Sequence, residues 1–209
     1  MKENEELKRR VLDLANRCYQ QNIYTFSGFL NAAEVSDVYS MERELDFIPW
    51  KLFGGTEGCE RQMLRFGSEE TLGYEEEFPI SCVAIRPSAP KFAEDLSHRD
   101  FLGALMNLGI ERDVLGDIIV RDSVGYVFCE DAMAVYLADN ITQVRHTVMT
   151  TEVTKECPGQ AAPQFLEEEF VVSSNRCDAI IAKAYKLSRT RSTELFHAGK
   201  IFVNGRQYD

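Results

Sequence analysis

The first 75 residues carry two helical patterns followed by a change of pattern. Apolar residues recur with helical spacing from about residue 5 to residue 21, and a second helix is predicted to begin near Asn31, a favourable N-cap residue. After Pro49 a short apolar run, WKLF, ends at two glycines, and the stretch TEGCERQMLRF that follows predicts a further helix. We therefore expect residues 1–75 to form a mostly helical α/β domain.

The two glycines, Gly54 and Gly55, invite comparison with a phosphate-binding loop. Neither a G-K-[ST] sequel nor a G-x-G-x-x-G pattern accompanies them, so nucleotide binding is the weaker interpretation. A tight turn between a strand and a helix is favoured, because glycine adopts backbone conformations that other residues avoid.

Residues 76–155 cycle between strand and helix patterns. ISCVAIRP predicts a strand, and SHRDFLGALMNLG predicts a helix capped by Ser97 with Asp100 three residues on. GDIIVRD and GYVFCED predict two strands that meet in a hairpin around Ser123–Gly125, and a helix (DAMAVYLADNI) and a strand (VRHTVMTTEV) follow. The order β-α-β-β-α-β is that of a ferredoxin-like (RRM-like) plait.

Two aromatic residues of the predicted GYVF strand, Tyr126 and Phe128, occupy alternate positions and so point to the same face. RNA-binding plaits present such aromatics for base stacking. Packing beneath the helices is an equally simple use of alternating aromatics. The strand leaves both alternatives open, with packing favoured.

Residues 156–170 predict a linker, since they combine two prolines, a glycine and the acidic run Glu167–Glu169. Acids repel phosphate, so we expect this run to face away from any bound RNA.

The last segment, residues 171–209, predicts two helices and a hairpin. Ser173 or Ser174 is expected to cap the first helix, and Ser188 to cap a second helix that ends at Gly199. A strand and an Asn-Gly turn follow, which is a strong hairpin signal. The apolar stripe expected to be buried on the first helix is Cys177, Ile180, Ile181 and Ala184.

Charge is distributed unevenly along the chain. The protein has 209 residues and a net charge of −11, which at first argues against nucleic acid. Residues 171–209 nevertheless hold seven basic residues against three acidic ones, a net charge of +4, so the rest of the chain carries −15. Such asymmetry is typical of a nucleic-acid-binding module on an acidic body, although a solvated basic face would show it as well.

Arginines lie where the two C-terminal helices begin, where the helix dipole disfavours cations by about 0.3 to 1 kcal/mol each. Arg176 stands near the start of the first helix, and Arg189 and Arg191 lie in the first turn of the second. The placement favours an anion held jointly by backbone N–H groups and guanidinium groups. Ion pairing with Asp178 and Glu194 is the alternative.

Several classes of protein are disfavoured by what the sequence lacks. No stretch is long and apolar enough for a membrane span, and the first residues, MKENEELKRR, do not form a signal peptide, so we expect a cytoplasmic protein. Six cysteines are scattered without a C-x-x-C pair, and three histidines lie far apart. We expect no metal, no cofactor and no catalytic residues.

The pattern R-x-D-x-x-I, then S-R, then G-K-I-x-V-N-G resembles the S4 RNA-binding domain, a small helix-helix-hairpin module first known from a ribosomal protein. Cys177 stands where that pattern usually has leucine. The resemblance implies that the basic face of the two helices contacts RNA. The residues that it points to are Arg176, Arg189, Arg191 and Lys200, with Lys183 a weaker candidate.

Two upstream motifs extend the resemblance. F-G-G-x-E-G-x-E-R at residues 53–61 and HRDFLGALMNLGIERDVLGDI at residues 98–118 resemble the YlmH family of bacterial S4-domain proteins. The resemblance implies an N-terminal domain, a plait-like RNA-binding domain and an S4 domain. It also implies association with the large ribosomal subunit, with contacts to rRNA and tRNA during rescue of stalled nascent chains.

An S4 domain normally continues for a few strands after V-N-G, whereas only a few residues follow here. We therefore expect a partial S4 domain over residues 171–209, from a truncated chain.

Two other functions stay open. S4 domains accompany pseudouridine synthases, and the R-x-D of NRCDAI weakly resembles their catalytic loop, but its flanking residues are absent. A protein-binding adaptor linked to cell division would use the acidic part of the chain and need no RNA.

Overall fold

Helices and antiparallel strands occur together throughout the chain, so the class is α+β as predicted. The computed structural model describes residues 2–155 and 167–208, which form two units, Met1–Pro163 and Gln164–Asp209. Most of the predicted linker, residues 156–166, lies outside the described residues. The predicted boundary between residues 75 and 76 stays a prediction.

The N-terminal part of the first unit combines three helices with a three-stranded antiparallel sheet, in which the third strand lies between the other two. In chain order the elements are α1 (Lys2–Gln21), β1 (Thr25–Leu30), α2 (Ala32–Ser40), β2 (Trp50–Phe53), β3 (Gln62–Phe66) and α3 (Glu69–Leu72).

The start of α2 is fixed by the cap that the sequence predicts. Asn31 Oδ1 accepts hydrogen bonds from the backbone N–H groups of Ala33 and Glu34, at 2.9 and 3.1 Å. Glu34 Oε2 in turn accepts a hydrogen bond of 2.8 Å from the Asn31 backbone. This reciprocal capping box satisfies N–H groups that would otherwise lack partners at a helix start.

The helix predicted over residues 56–66 is wrong, because the second half of that stretch is β3. Its apolar side chains are buried on both faces of the sheet: Met63 packs toward the second sheet of this unit, and Leu64 and Phe66 pack toward α1 and α2. A strand buried on both faces lacks the simple alternation of apolar and polar residues, so its periodicity does not distinguish it from a helix. Gly54 and Gly55 therefore join strand to strand.

The second sheet has five antiparallel strands in the order β5-β6-β4-β8-β7, with two helices in the connections. The elements are β4 (Ile80–Pro87), α4 (His98–Met106), β5 (Leu115–Arg121), β6 (Val124–Glu130), α5 (Asp131–Asn140), β7 (Gln143–Val144) and β8 (Thr147–Thr154). Short 3₁₀ turns occupy Pro90–Phe92 and Arg112–Val114.

Local signals place several of these elements correctly. The Asp100 carboxylate accepts hydrogen bonds from the Ser97 backbone N–H (2.8 Å) and hydroxyl (2.7 Å), so α4 begins where predicted. The hairpin of β5 and β6 turns at Asp122 and Ser123, whose φ angles of 50° and 61° fit a two-residue turn. The predicted hairpin is confirmed.

The five-stranded sheet is covered on both faces. On one face, Phe101 and Leu105 of α4 and Leu137 of α5 pack against Val127 and Cys129 of β6. The opposite face carries the alternate residues of the same strands, and these pack against Phe29 of β1 and Met63 of β3. The two sheets of the first unit thus face each other across a shared apolar layer.

Glycine allows the close approach of these sheets. A Cβ on Gly55, whose φ is 101°, would overlap the ring of Phe128. A Cβ on Gly116 would lie 2.7 Å from Phe29 Cε1 and 2.9 Å from Phe128 Cβ. The Gly-Gly pair that resembled a phosphate loop therefore serves packing.

Arg61 joins the two halves of the first unit by hydrogen bonds. Its Nε donates to the Leu115 carbonyl (2.8 Å), and its Nη2 donates to the carbonyls of Phe29 (3.0 Å) and Arg112 (2.8 Å). The Arg61 backbone N–H donates to Asp117 Oδ1 at 3.1 Å. Burial, followed by the nearby Arg112, lowers the pKa of the Arg61 guanidinium from its ordinary value.

The second unit contains two helices that pack on each other and a two-stranded hairpin. Its elements are α6 (Cys177–Ala184), α7 (Arg189–His197), β9 (Phe202–Val203) and β10 (Arg206–Gln207). Asn204 and Gly205 form the hairpin turn, with φ angles of 51° and 72°, as predicted. Gly199, with a φ of 61°, follows the end of α7 as predicted.

Replacing Arg61 with lysine should lower the free energy of unfolding by about 2 to 3 kcal/mol. A lysine keeps the charge but lacks the planar fork that reaches three carbonyls. Urea denaturation measures the change, with Arg17→Lys on the exposed surface of α1 as the matched control, expected within about 0.5 kcal/mol of the unchanged protein. Equal losses for the two variants would contradict the clamp.

Candidate nucleic-acid interface

The two helices of the second unit are held together by small residues and one buried hydroxyl. Ala179 and Ala182 of α6 and Ser192 of α7 are buried, and Ser192 is fully so. The Ser192 hydroxyl donates a 2.8 Å hydrogen bond to the Asp178 carbonyl in the first turn of α6. This bond fixes the start of α6 against α7.

The two helix starts differ from each other. Ser188 caps α7 as predicted, accepting a 3.1 Å hydrogen bond from the Arg191 backbone N–H. The cap predicted for the first helix at Ser173 or Ser174 is wrong, because α6 begins only at Cys177, after Arg176 at the N-cap position without a side-chain cap bond.

The predicted apolar stripe of the first helix is only partly correct. Cys177, Ile181 and Ala184 are half-buried and Ile180 is exposed, whereas the buried residues are the two alanines. Close packing of α6 on α7 selects small side chains for the contact, and a pattern of large apolar residues does not reveal them.

The five predicted RNA-binding residues are all exposed, and the structure distributes them among three places. Arg176 and Arg189 stand at the starts of α6 and α7, and Arg191 lies one turn into α7. Lys183 lies in the last turn of α6, about 10 Å along the helix axis from Arg176. Lys200 follows the end of α7.

Two of the three arginines form ion pairs in the described residues. Arg176 Nε lies 2.9 Å from Asp178 Oδ1, and Arg191 Nη1 lies 2.9 Å from Glu194 Oε2. The alternative weighed from the sequence, pairing with the local acids, therefore applies to this pair of arginines. Arg189 has no carboxylate within 4.0 Å among residues 2–155 and 167–208.

These ion pairs are open to solvent on the arginine side, whereas the Asp178 side chain is only 18% exposed. The Arg176 side chain is 75% exposed, and the Arg191 and Glu194 side chains are 61% and 56% exposed. Exposed pairs contribute little to stability, because water screens them and both side chains lose entropy. Their guanidinium groups remain accessible to a stronger anion.

Two arginines act on the Asp178 carboxyl, Arg176 by a direct ion pair and Arg189 at longer range. The hydrogen bond from Arg176 is the largest influence lowering the pKa of the Asp178 carboxyl, and Arg189 acts in the same direction by its charge. Asp178 thus pairs directly with Arg176 alone, and Arg189 lies beyond ion-pair distance. The guanidinium group of Arg189 is therefore available to a phosphate.

Lys183 belongs to a different surface. With Lys186 it lines a cavity of about 530 Å³ together with Glu168 and Glu169. The acidic run of the predicted linker therefore lies beside basic residues of α6. The expectation that it faces away from bound RNA stays a prediction.

The aromatic pair of β6 does not form a base-stacking surface. Phe128 is fully buried and Tyr126 is 9% exposed, on the sheet face that is turned away from α4 and α5. Packing was the favoured alternative and is what the structure shows, but the partner is the N-terminal sheet. No local sequence signal identifies that partner except the two glycines, Gly55 and Gly116, that make room for Phe128.

The buried cysteine of β6, Cys129, is a structural residue of the first unit. Cys129 lies in the core, where burial raises the pKa of its thiol to about 12, so the thiol stays protonated near neutral pH. Among the described residues no cluster of three or more His, Cys, Asp or Glu is arranged to hold a metal. No helix in the described ranges is both long and apolar enough to cross a membrane.

Comparison with known proteins links this architecture to one family. Residues 74–156, which contain the five-stranded sheet, match the sequence profile of a family described as "Putative RNA-binding domain in YlmH". This match covers less than half of the chain. A solved structure titled "Cell division protein ylmH from Streptococcus pneumoniae" is similar in fold, with a TM-score of 0.57 and 19% identity, over 72% of this chain and 90% of that one.

A curated relative from Bacillus subtilis (strain 168) is named "Ribosome-associated protein quality control protein P2". It is 28% identical over 152 residues, which cover 72% of this chain. The match covers 58% of the relative's own length.

The two motifs that carried the YlmH resemblance meet in space. Arg61, the last residue of the first motif, bonds to the carbonyls of Leu115 and Arg112 in the second. These motifs therefore maintain the contact between the two halves of the first unit.

Replacing Phe128 with leucine should lower the free energy of unfolding by about 1 to 3 kcal/mol, because it leaves space between the sheets. RNA affinity, measured by fluorescence anisotropy at a temperature where the variant is folded, should change less than about twofold. A large loss of RNA affinity in a folded variant would show that this ring contacts bases.

Proposed function

We propose that this protein is an RNA-binding, ribosome-associated factor whose C-terminal unit is an S4-type RNA-binding module. The observation that supports this most is that Arg176 and Arg189 stand at the starts of α6 and α7, in a segment that carries a net charge of +4. The similarity of residues 74–156 to the family described as "Putative RNA-binding domain in YlmH" supports the same function independently.

Phosphate binding at this surface proceeds by exchange of partners. A phosphate that approaches Arg189 meets a guanidinium group without a carboxylate partner within 4.0 Å in the described ranges, next to the first N–H groups of α7. Arg176 and Arg191 then exchange their exposed ion pairs for charge-assisted hydrogen bonds to the sugar-phosphate chain. Lys200 supplies a further positive charge after α7.

The RNA that we propose as partner is ribosomal RNA of the large subunit, with tRNA as a second contact. The name of the Bacillus subtilis relative, which concerns ribosome-associated quality control, supports the ribosome as the site of action. We place the protein in the cytoplasm for the same reason, and as a binding factor without catalytic residues or a cofactor.

We further propose that the five-stranded sheet with its two helices is a ferredoxin-like plait. The order β-α-β-β-α-β, with β4 and β6 as neighbours inside the sheet, supports this. The plait differs in use from a base-stacking RNA-binding domain, because its aromatic face is covered by the N-terminal sheet. RNA contacts of the first unit would then lie on its helices and turns.

Arg189→Ala should weaken binding to large-subunit rRNA by ~1 to 3 kcal/mol with little loss of stability. Affinity is measured by fluorescence anisotropy across a salt series, together with co-sedimentation with large ribosomal subunits. Arg17→Ala, at an exposed position of α1, removes the same charge elsewhere and should leave both readouts unchanged. Unchanged ribosome association of Arg189→Ala would contradict the assignment of the interface.

The adaptor alternative predicts a different outcome of the same series. An RNA interface with several phosphate contacts loses affinity steeply as salt rises, whereas an adaptor for a cell-division protein has no such affinity. Absence of salt-dependent RNA binding in the unchanged protein would therefore overturn the proposed function.

Neutralising Glu168 and Glu169 together to glutamine should strengthen RNA binding about three- to tenfold at low salt. These acids line the same cavity as Lys183 and Lys186, and their charge opposes an approaching phosphate. The exposed pair Glu5 and Glu6 on α1, changed in the same way, controls for net charge. Equal gains for both double variants would show that only the overall charge matters.

A further inference from the structure

A groove of about 480 Å³ lies in the first unit, on the outer side of α4. One wall is the helix face that carries Arg99, Gly103 and Asn107, at intervals of four residues. The opposite wall runs from the end of α5 to the turn between β7 and β8, where Gln143 and Arg145 line the groove. Its volume falls within the range of about 300 to 1,000 Å³ that is typical of small-ligand sites.

The glycine in this groove has no packing reason. A Cβ at Gly103 would meet no atom within 4 Å, apart from the nearby backbone of its own helix. By contrast, a Cβ on Gly125 would lie 2.6 Å from the Phe101 ring, where packing demands a glycine. Glycine within a helix is destabilising relative to alanine. Gly103 therefore lowers the stability of the helix without being required by packing. Because it has no side chain, the helix backbone is exposed on the floor of the groove.

The two arginines of the groove are positioned for an anion. Arg99 is exposed, stands at the second residue of α4, and has no carboxylate within 4.0 Å in the part of the chain that the structure describes. Arg145 forms two long ion pairs. Its guanidinium nitrogens lie 3.8 Å from Glu94 Oε1 and from Asp100 Oδ1. Neither distance is a hydrogen bond, so the donors of Arg145 remain available.

Arg145 is also held by its backbone. Its φ of 52° lies in the left-handed region, which non-glycine residues adopt uncommonly. The Gln143 side chain donates a 2.6 Å hydrogen bond to the Arg145 carbonyl and so stabilises this turn. The left-handed φ fits the two-residue turn between Val144 and Thr147, which holds the Arg145 backbone in one conformation.

Amide side chains make the groove suited to a nucleotide. Asn107, Asn140 and Gln143 line it, and amides both donate and accept hydrogen bonds, as base edges and the ribose 2′-hydroxyl do. The acidic lining residue, Asp100, already accepts two hydrogen bonds from Ser97. The groove therefore combines cationic groups for a phosphate with neutral polar groups for a base or sugar.

We propose that this α4 groove binds one unpaired nucleotide of an RNA strand, with Arg99 and Arg145 on its phosphate and the bare backbone at Gly103 beneath it. The inference rests on the proposed function, since it adds a second RNA contact to that of the C-terminal unit. Arg99, Gly103 and Asn107 belong to the second YlmH-like motif, yet they take no part in the core formed by Phe101 and Leu105.

Gly103→Ala tests the proposal with two readouts of opposite sign. The Tm should rise by about 1 to 4 °C, because alanine favours the helix. The Kd for a labelled single-stranded RNA of about 12 nucleotides, a length suited to single-strand binding surfaces, should rise at least threefold. A higher Tm with an unchanged Kd would overturn the proposal.

Arg99→Gln tests the phosphate contact. Its Kd should rise about fivefold or more, and the slope of log Kd against log salt should fall by about 0.7, the value for one contact to a single strand. Arg121→Gln removes an equal charge from an exposed position at the end of β5 and should alter the Kd less than twofold. Equal effects of the two variants would overturn the proposal.

Parallel measurements on Arg189→Ala separate this inference from the proposed function. Weaker binding by Arg189→Ala with unchanged groove variants would reject the groove and keep the C-terminal interface. Weaker binding by the groove variants alone would support the groove and reject the C-terminal assignment. A free mononucleotide at micromolar concentration is not expected to compete with the RNA. If it did compete, the groove would bind a small-molecule nucleotide and not a nucleotide of an RNA strand, and the proposal would be overturned.

Discussion

The packing of one sheet face against the other determines what the first unit offers to a partner. Phe128 sits between the sheets and is accommodated only because Gly55 and Gly116 lack side chains. Arg61 adds hydrogen bonds to three backbone carbonyls beside the same contact, which apolar side chains cannot satisfy. With both faces of the larger sheet occupied, its helices and turns are what remain exposed.

This constraint explains why the polar groups suited to RNA are spread along the chain rather than gathered on a sheet. The C-terminal unit carries two arginines at its helix starts, and the first unit carries a groove beside α4. Both surfaces use guanidinium groups at or near helix starts, within a protein whose net charge is −11. Local concentration of positive charge, and not the net balance, governs where a phosphate is attracted.

Features that depend on neighbouring residues could be predicted from the sequence, whereas contacts between distant segments could not. Asn31, Ser97 and Ser188 each identified a helix start, since a cap depends on residues within one turn. The strand β3 was mistaken for a helix because burial on both faces removes alternation. Base stacking by Tyr126 and Phe128 was left open because nothing within their strand indicates that a second sheet covers them. The five basic residues were predicted by resemblance and local charge, whereas which of them pair with Asp178 and Glu194 depends on side-chain geometry.

The buried hydroxyl of Ser192 has a consequence for how the C-terminal unit would evolve. Because it ties the first turn of α6 to the middle of α7, it sets the spacing between the arginines at the two helix starts. The distance between these arginines therefore depends on this one hydrogen bond. A substitution of Ser192 would change the distance between the phosphates that the unit can bind. No residue in contact with nucleic acid would have to change for this effect.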